Sequence, residues 1–292
     1  MPNLVNRIGL FKLFLFASII IIIAIIYNNY FGYSMPKTIW MYWDSDVLPK
    51  NIQLIKDYNE PAFRDWSVVY LNPKTLYNYV DKSHIPATYH NLIVQHQADW
   101  IRLYVLKKYG GVWIDASIIF NDKDSLNKIW TQTVQNQSIF TVFTGAGYTT
   151  HISGVKIPLL IDNWFIMTSP RTEIINLWFN EYNQAINEGF LNYKKRAIQE
   201  GVDITNIHFK DDDDVYLTQH ICIEKVFQKM LKTIPSCIFI DSGNSMFAIH
   251  NKCKWQKECT IDNILHDPKT RKLPYIKLTR HERDGVTSYF EH

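Results

Sequence analysis

The chain has 292 residues, of which 47% are hydrophobic, 14% are aromatic and 20% are charged, and its net charge is +3. This length and composition exclude a disordered or fibrous protein and allow one large domain with a substantial core. A charge of +3 is too small to indicate nucleic-acid binding, so we expect no nucleic acid among the partners.

The first predicted element is an apolar segment near the amino terminus. Residues 13–27 are apolar or small throughout, and residues 8–27 together have the length of a membrane-spanning helix. A cleaved signal peptide is the alternative, but no small-x-small cleavage site follows the segment. The segment therefore predicts an uncleaved membrane anchor.

The charges that flank the anchor predict its orientation. Arg7 and Lys12 precede the apolar residues, whereas the next charge after them is Lys37, which predicts a cytosolic amino terminus. We expect a single-pass type II membrane protein with a cytosolic tip, an anchor and a short stem in residues 1–34. Residues 35–292 are expected to form one domain, either lumenal (Golgi- or ER-like) or otherwise extracytoplasmic.

Apolar and β-branched stretches alternate with helical patterns along this domain. Strands are predicted at residues 38–43, 66–71, 112–120, 140–143, 164–168 and 237–240. Helices are predicted at residues 49–58, 74–81, 90–109, 170–189 and 215–231. The polar residues 193–214 predict a loop or lid. The alternation predicts an α/β fold with parallel strands.

Four cysteines lie in the last third of the chain, namely Cys222, Cys237, Cys253 and Cys259. An even number beyond a membrane is compatible with two disulfides, and the short separation of Cys253 and Cys259 makes them the expected pair. The spacing of the four does not match a zinc site.

Charged residues interrupt the apolar pattern of the predicted helix at 90–109 and of the strand after it. Asp99 and Arg102 are three residues apart, hence on one face of the helix, and a buried pair of this kind is either a structural ion pair or contacts a polar ligand. Asp115 stands where the next strand gives way, and α/β sheets bind ligands at the carboxyl ends of their strands. A turn or capping role for Asp115 is the alternative.

Residues 98–117 read ADWIRLYVLKKYGGVWIDAS, and this sequence resembles the sugar-nucleotide motif of capsular polysaccharide synthesis proteins. It is more distantly similar to glycosyltransferase family 32. Residues 36–44 and 162–166 agree with the same resemblance. The resemblance implies a GT-A-type, Rossmann-like fold with a mixed sheet flanked by helices. It also implies that the protein transfers a hexose from a UDP- or GDP-linked donor to a glycan acceptor in polysaccharide biosynthesis.

The resemblance further implies which residues form the donor site. Asp99 would accept hydrogen bonds from the donor sugar, and Arg102 would contact the sugar or the diphosphate, for which a forked guanidinium is suited. Asp115 would approach the ribose or a metal, and these three residues are expected to be catalytic. The other implied donor-binding residues are Trp113 beside the nucleotide, Trp40 or Trp43 stacked on the base, and Lys277 and Arg280 at the diphosphate.

On the acceptor side, the resemblance implies Asp162, Asn163 and Trp164. A structural role for these residues at the start of a strand is the alternative. The related enzymes are thought to retain the anomeric configuration, so no side chain is assigned as a base. Tyr216 and His220 lie four residues apart, and they either face the acceptor or pack in the core.

A departing nucleoside diphosphate gains negative charge, which Mn²⁺ or Mg²⁺ bound by carboxylates offsets in many enzymes. The resemblance implies such a metal at Asp115 and Ser117, where a serine stands in place of the second aspartate of a D-x-D motif. Because a hydroxyl is a weaker ligand than a carboxylate, His250, His281 and Asp284 are further candidates. A catalytically inactive relative that binds glycans or nucleotide sugars at the membrane is the alternative function.

Overall fold

The computed structural model describes residues 18–19, 35–145, 148–151, 155–158 and 160–291. The chain divides into two compact units, Met1–Ser34 and Met35–His292. In the first unit Ser18 and Ile19 are described, and both are helical. The predicted anchor at residues 8–27 otherwise lies outside the described residues. Among the residues that are described, no helix has the length and apolar character needed to cross a membrane.

Within its described part, the second unit contains ten strands and eight α-helices. The strands are β1 (Thr38–Tyr42), β2 (Ser67–Leu71), β3 (Gly111–Ile114), β4 (Ile118–Phe120), β5 (Phe140–Thr144), β6 (Tyr148–His151), β7 (Val155–Pro158), β8 (Ile161–Thr168), β9 (Cys237–Asp241) and β10 (Tyr275–Lys277). The helices are α1 (Lys50–Phe63), α2 (Val94–Tyr109), α3 (Ser125–Gln135), α4 (Glu173–Glu188), α5 (Phe190–Gln199), α6 (Thr218–Lys225), α7 (Ala248–Lys252) and α8 (Lys257–His266). A π-helical turn, Val226–Met230, extends α6.

Six strands form a mixed sheet in the order β2-β1-β3-β8-β5-β9. β1 pairs in parallel with β2 and β3, and β5 pairs in parallel with β9. β8 runs antiparallel to both β3 and β5. β4 pairs with β10, and β6 with β7, in two separate antiparallel ribbons. The predicted mixed α/β sheet is therefore confirmed.

Helices cover the sheet on both faces, as the alternation of side chains along β1 demonstrates. Ile39 and Met41 belong to a core cluster that includes Phe63 of α1. Trp40, between them, belongs to the cluster on the opposite face, together with Trp100 of α2. A strand buried on both faces is typical of an α/β sheet that lies between two helical layers.

A pair of glycines reverses the chain between α2 and β3. Gly110 and Gly111 have φ angles of 66° and 97°, a region that side chains with a Cβ rarely adopt. A Cβ on Gly110 would also lie 2.6 Å from Cδ of Pro170. Because of this tight reversal, α2 runs back along β3, and its first half lies beside the carboxyl end of that strand.

Two element predictions were wrong. The strand predicted at residues 112–120 is two strands, because Asp115 begins a turn in which its carbonyl accepts a hydrogen bond from the amide of Ile118 at 3.1 Å. The loop or lid predicted at 193–214 begins inside α5, which buries Tyr193 and Ala197, four residues apart on one helical face. The basic residues between these two side chains conceal that apolar face in the sequence.

The predicted disulfide between Cys253 and Cys259 is present. The two remaining cysteines, Cys222 and Cys237, are free thiols, so the second disulfide that the even count allowed is not formed. Cys222 is fully buried, as expected of a cysteine that acts as a small apolar side chain.

Candidate active site

A cleft of about 1690 Å³ opens where β1 and β3 end. That volume exceeds the roughly 300–1,000 Å³ that is typical of small-molecule pockets. Eleven residues predicted from the sequence line the cleft, namely Trp43, Asp99, Arg102, Trp113, Asp115, Ser117, Asp162, Asn163, Trp164, Lys277 and Arg280. The donor and acceptor residues implied by the resemblance therefore share one cavity.

Trp40 is the exception among the predicted donor residues, and its assignment is corrected. Its side chain is 3% exposed, and its indole nitrogen donates a hydrogen bond to the carbonyl of Gly110 at 2.8 Å. Its ring stacks on Tyr109. Trp40 therefore fixes the end of α2 against β1 and is not accessible to a nucleotide, whereas Trp43 beyond the strand lines the cleft.

Arg102 of α2 joins the two predicted aspartates. Its Nη1 donates to Oδ1 of Asp99 at 2.8 Å, and its Nη2 donates to Oδ1 of Asp115 at 3.2 Å. Its guanidinium also lies 5.0 Å from the ring centroid of Trp113, the distance of a cation–π contact. The ion pair predicted within α2 exists, and the same guanidinium extends it to the end of β3.

Two amide side chains complete this network. Gln219 of α6 accepts a hydrogen bond from Nη1 of Arg102 at 2.8 Å and donates one to the carbonyl of Asp99 at 2.7 Å. Asn163 of β8 donates to Gln219 at 2.7 Å and to Asp99 at 3.2 Å. Asn163, expected on the acceptor side, is thus bound to the donor-side aspartate. Gln219 was missed, because it is separated from Arg102 by more than a hundred residues.

The carboxylate of Asp115 is surrounded by donors. The indole nitrogen of Trp113 donates to its Oδ1 at 2.9 Å, and Nζ of Lys277 lies 3.3 Å from its Oδ2. Burial would raise the pKa of Asp115, but the Lys277 ammonium and the Arg102 guanidinium outweigh burial and hold that pKa below its ordinary value. Asp115 is therefore ionised at neutral pH.

Lys277 is held in place by the pairing of β4 with β10. Lys277 lies opposite Ile118 in this ribbon, and the amide of Leu278 donates to the carbonyl of Ser117 at 3.0 Å. The Lys277 ammonium donates to Oγ of Ser117 at 2.7 Å and to the carbonyl of Leu278 at 3.2 Å. Burial lowers the pKa of Lys277, and the neighbouring Asp115 carboxylate opposes that shift.

The donor set at Asp115 and Ser117 does not fit a divalent metal. Oδ1 of Asp115 accepts hydrogen bonds from Arg102 and Trp113, Oδ2 is paired with the Lys277 ammonium at 3.3 Å, and the Ser117 hydroxyl accepts from Lys277. Over the ranges that the structure describes, no three His, Cys, Asp or Glu residues are grouped as metal ligands. His250 is fully buried against Glu282, with 3.0 Å between Nε2 and Oε2, while His281 and Asp284 line the cleft.

A second wall of the cleft includes Asp162 and Trp164 of β8 and His220 of α6, and it carries buried polar atoms that make no hydrogen bond among the described residues. Oδ2 of Asp162, Nε1 of Trp164 and Nδ1 of His220 have no hydrogen-bond partner among the described residues. Burial raises the pKa of Asp162 to about 6 and lowers the pKa of His220 to about 4. All three side chains line the cleft, so His220 faces the cleft and is not merely a core residue.

Basic side chains from the carboxyl-terminal segment border the cleft near Trp43. Arg280 and Arg283 both line it, and the guanidinium of Arg283 lies 5.4 Å from the ring centroid of Trp43. Tyr216 also lines the cleft, and its side chain is exposed. This side of the cleft therefore combines an exposed tyrosine and a half-buried tryptophan with positive charge.

The comparison with protein families agrees with this arrangement. A family model described as capsular polysaccharide synthesis protein matches residues 20–199, more than half of the chain. The chain belongs to the capsular polysaccharide synthesis protein family. In this family member the match includes Asp99, Arg102, Asp115 and Asn163, and it ends before Gln219 and Lys277. The last two come from a part of the chain that the family model does not match.

An individual relative shares only part of its sequence with this chain. This chain is 26% identical over 164 residues to O-glycosyltransferase braB of Annulohypoxylon truncatum, a match that covers 51% of this chain and 37% of that relative. The chain thus spans little more than a third of that relative's length.

Two solved structures are also similar. One is a glycosyltransferase involved in the glycosylation of the major capsid of PBCV-1, with 12% identity, a TM-score of 0.43 and coverage of 87% of this chain and 98% of that one. The other is the PaToxG glycosyltransferase, with 15% identity, a TM-score of 0.35 and coverage of 94% and 93%.

Proposed function

We propose that this protein is a GT-A-type glycosyltransferase that moves a hexose from a UDP- or GDP-linked donor to a glycan. The observation that carries the proposal is the network of Asp99, Arg102 and Asp115 in a large cleft at the ends of two parallel strands. Membership of the capsular polysaccharide synthesis protein family and the similarity to a fungal O-glycosyltransferase support it.

In this proposal, fixed charges orient the donor. Asp99 and Arg102 hold the sugar and its phosphate oxygens, since both residues line the cleft, Gln219 accepts from the Arg102 guanidinium and Asn163 donates to the Asp99 carboxylate. Asp115 accepts from the ribose hydroxyls, and Trp43 stacks on the base. A preorganised network of this kind stabilises the transition state at little cost in reorganisation.

The acceptor glycan would lie along Asp162 and Trp164, whose unpartnered polar atoms are able to bind sugar hydroxyls. Retention of the anomeric configuration is part of the proposal and rests on the family resemblance. It requires no side-chain base, so Asp162 is proposed as an acceptor-binding residue.

Donor hydrolysis by the full-length chain tests this function. UDP- and GDP-linked hexoses are screened for nucleotide release in Mn²⁺, in Mg²⁺ and in EDTA. We expect release from one donor, and we expect Asp115→Asn to lower it by at least tenfold. Asp57→Asn, an exposed aspartate of α1, is the matched control and should leave release unchanged. The sequence-based prediction of Mn²⁺ or Mg²⁺ stays a prediction that the EDTA arm tests.

An inactive, ligand-binding relative is the second candidate, and Ser117 in place of a second carboxylate favours it. It predicts nucleotide binding with no release from any donor. Neither binding nor release, in a folded protein, would contradict both candidates.

We also propose that residues 8–27 anchor the protein in a membrane, with residues 35–292 on the lumenal or extracytoplasmic side. The apolar segment and the Cys253–Cys259 disulfide support this, because disulfides persist in oxidising compartments. Protease protection in sealed microsomes tests it. The domain should be protected until detergent is added, and digestion without detergent would contradict the topology.

A further inference from the structure

The ammonium of Lys277 occupies the position between Ser117 and Asp115. It donates to the hydroxyl of Ser117 at 2.7 Å and lies 3.3 Å from Oδ2 of Asp115. These are the two side chains that the sequence offers as metal ligands. The position between them is therefore already occupied by a positive charge that belongs to the chain.

This cation is fixed by the fold. The Lys277 side chain is 13% exposed, and the β4–β10 ribbon sets its backbone beside Ser117. A second hydrogen bond, to the carbonyl of Leu278 at 3.2 Å, adds to the one that the ammonium donates to Ser117. Two hydrogen bonds and one ion pair therefore hold the ammonium in place in a partly buried site.

A divalent metal at the same place would be opposed by charge. Arg102 is hydrogen-bonded to Oδ1 of Asp115, so a metal on this carboxylate would have a guanidinium and an ammonium as neighbours. Like charges at such short separations in a partly buried site repel strongly. A single carboxylate and a neutral hydroxyl are too weak a ligand set to overcome that repulsion.

We infer that the Lys277 ammonium takes the electrostatic role of the divalent metal, so that this cleft binds a nucleoside diphosphate without any metal. The inference rests on the proposed function, because it concerns how the donor's diphosphate is held. Lys277 offsets the charge of Asp115, so that this carboxylate does not repel the phosphates, and Arg280 and Arg283, which line the cleft, supply the net positive charge.

Isothermal titration calorimetry on the full-length chain tests the inference, with UDP and GDP as probes in excess EDTA and then in excess MnCl₂. We expect the Kd of the preferred nucleotide to agree within about threefold between the two conditions. We expect Lys277→Met to weaken nucleotide binding by at least tenfold in EDTA, because the ammonium that offsets the charge of the Asp115 carboxylate would be lost. Lys272→Met, an exposed lysine on the same segment, is the control and should leave Kd unchanged.

An exchange of charges sharpens the test. The double variant Ser117→Asp, Lys277→Ala rebuilds two carboxylates and removes the internal cation. We expect it to bind Mn²⁺ without nucleotide, measured by loss of the free Mn²⁺ signal in electron paramagnetic resonance, and to require Mn²⁺ for nucleotide binding. The wild type should leave the free Mn²⁺ signal unchanged.

The outcomes separate the two proposals. Wild-type binding that weakens tenfold or more in EDTA overturns the inference and leaves the glycosyltransferase function standing. Mn²⁺ bound by the wild type alone would also overturn it. No binding of either nucleotide in either condition overturns both the inference and the proposed function. The wild-type measurements decide even if Lys277→Met does not fold.

Discussion

The buried carboxylates on the two walls of the cleft differ in their ion-pair and hydrogen-bond partners. On the wall formed by α2, β3 and β10, the carboxylates of Asp99 and Asp115 are bound by Arg102 and Lys277. On the wall that begins at β8, Asp162 leaves one carboxylate oxygen without a hydrogen bond among the described residues. Both walls are buried, so burial alone does not separate them. The difference is whether the carboxylate is paired with a cation, because Ser242 and Trp164, the polar neighbours of the Asp162 carboxyl, carry no charge.

This contrast indicates which wall is organised before a ligand arrives. Charges that are paired with cations hold fixed positions, and their desolvation is offset within the protein before a ligand binds. A donor site that stabilises the charge developing in the transition state requires such preorganisation. Unpartnered polar atoms instead gain their hydrogen bonds from the molecule that binds. We therefore expect substitutions on the first wall to lower the free energy of unfolding. Substitutions on the second wall should change how that free energy depends on pH.

The largest effect is expected from Arg102, which joins both aspartates on the partnered wall. Arg102→Leu leaves Asp99 buried without its cation, and breaking a buried ion pair in this way costs about 3–5 kcal/mol. Denaturant unfolding at pH 7 measures the loss. Arg64→Leu, which removes a surface arginine with two exposed aspartate partners, should cost less than about 1 kcal/mol. Equal losses for the two variants would mean that the partnered wall is solvated.

Asp162 on the other wall is expected to make stability depend on pH. Its pKa of about 6 in the folded protein exceeds its ordinary 3.8, so between these values the unfolded chain releases its proton first. Stability therefore falls as the pH rises through this range, and it is greatest below it. Between pH 4 and pH 7.5 the wild type should lose about 2–3 kcal/mol more than Asp162→Asn, which cannot ionise.

Unfolding curves of the wild type and Asp162→Asn at several pH values measure this difference. Glu224, whose pKa burial raises to about 7, is present in both proteins, so its contribution cancels. If the unfolding free energies of the two proteins changed with pH in the same way, the pKa of Asp162 would not be raised in the folded protein. The contrast between the walls would then be lost.

Local spacing in the sequence accounts for the proximity of the three charged residues at the centre of the cleft. Asp99, Arg102 and Asp115 lie within one helix, one glycine turn and one strand, so periodicity and strand order were sufficient to bring them together. Most strands and helices of the sheet were predicted for the same reason. β6, β7, β10, α3, α7 and α8 were not predicted, and α5 was predicted as part of a loop. β6, β7, β10 and α7 are three to five residues long, too short to show a sustained apolar period.

Contacts between distant segments account for what was missed. Gln219 and Lys277 meet Arg102 and Ser117 across 117 and 160 residues, and no local pattern encodes such a pairing. The resemblance implied that Lys277 lies near the diphosphate, but its contact with Ser117 follows from the β4–β10 register. Tertiary pairing, and not residue type, decides whether Ser117 binds a metal or a lysine.

Gln219 provides a smaller test of the partnered wall. Gln219→Ala removes hydrogen bonds to Arg102, Asp99 and Asn163 in a fully buried place, which should cost about 1–2 kcal/mol of unfolding free energy. Gln228→Ala, on the π-helical turn, removes hydrogen bonds that are mostly exposed and should cost half as much or less. A larger loss at Gln228 would contradict the order expected from burial.

The two tryptophans at β1 are expected to give the smallest effects and to differ in their effect on nucleotide binding. Trp43 lines the cleft beside Arg283, so Trp43→Ala should weaken UDP or GDP binding by about 1 kcal/mol, roughly fivefold, through loss of stacking on the base. Calorimetric titration measures this change. Its unfolding free energy should also fall, because the half-buried ring packs against the core cluster that contains Ile52 and Ile55.

Trp40→Phe is the matched variant, since it keeps a ring in the core and removes the hydrogen bond to the carbonyl of Gly110. It should lower the unfolding free energy by about 1 kcal/mol and leave the nucleotide Kd unchanged. If Trp40→Phe weakened nucleotide binding as much as Trp43→Ala, the base would depend on the position of α2 as well as on a stacking ring. The residues that determine nucleotide binding would then include Trp40 and the turn at Gly110 as well as Arg102.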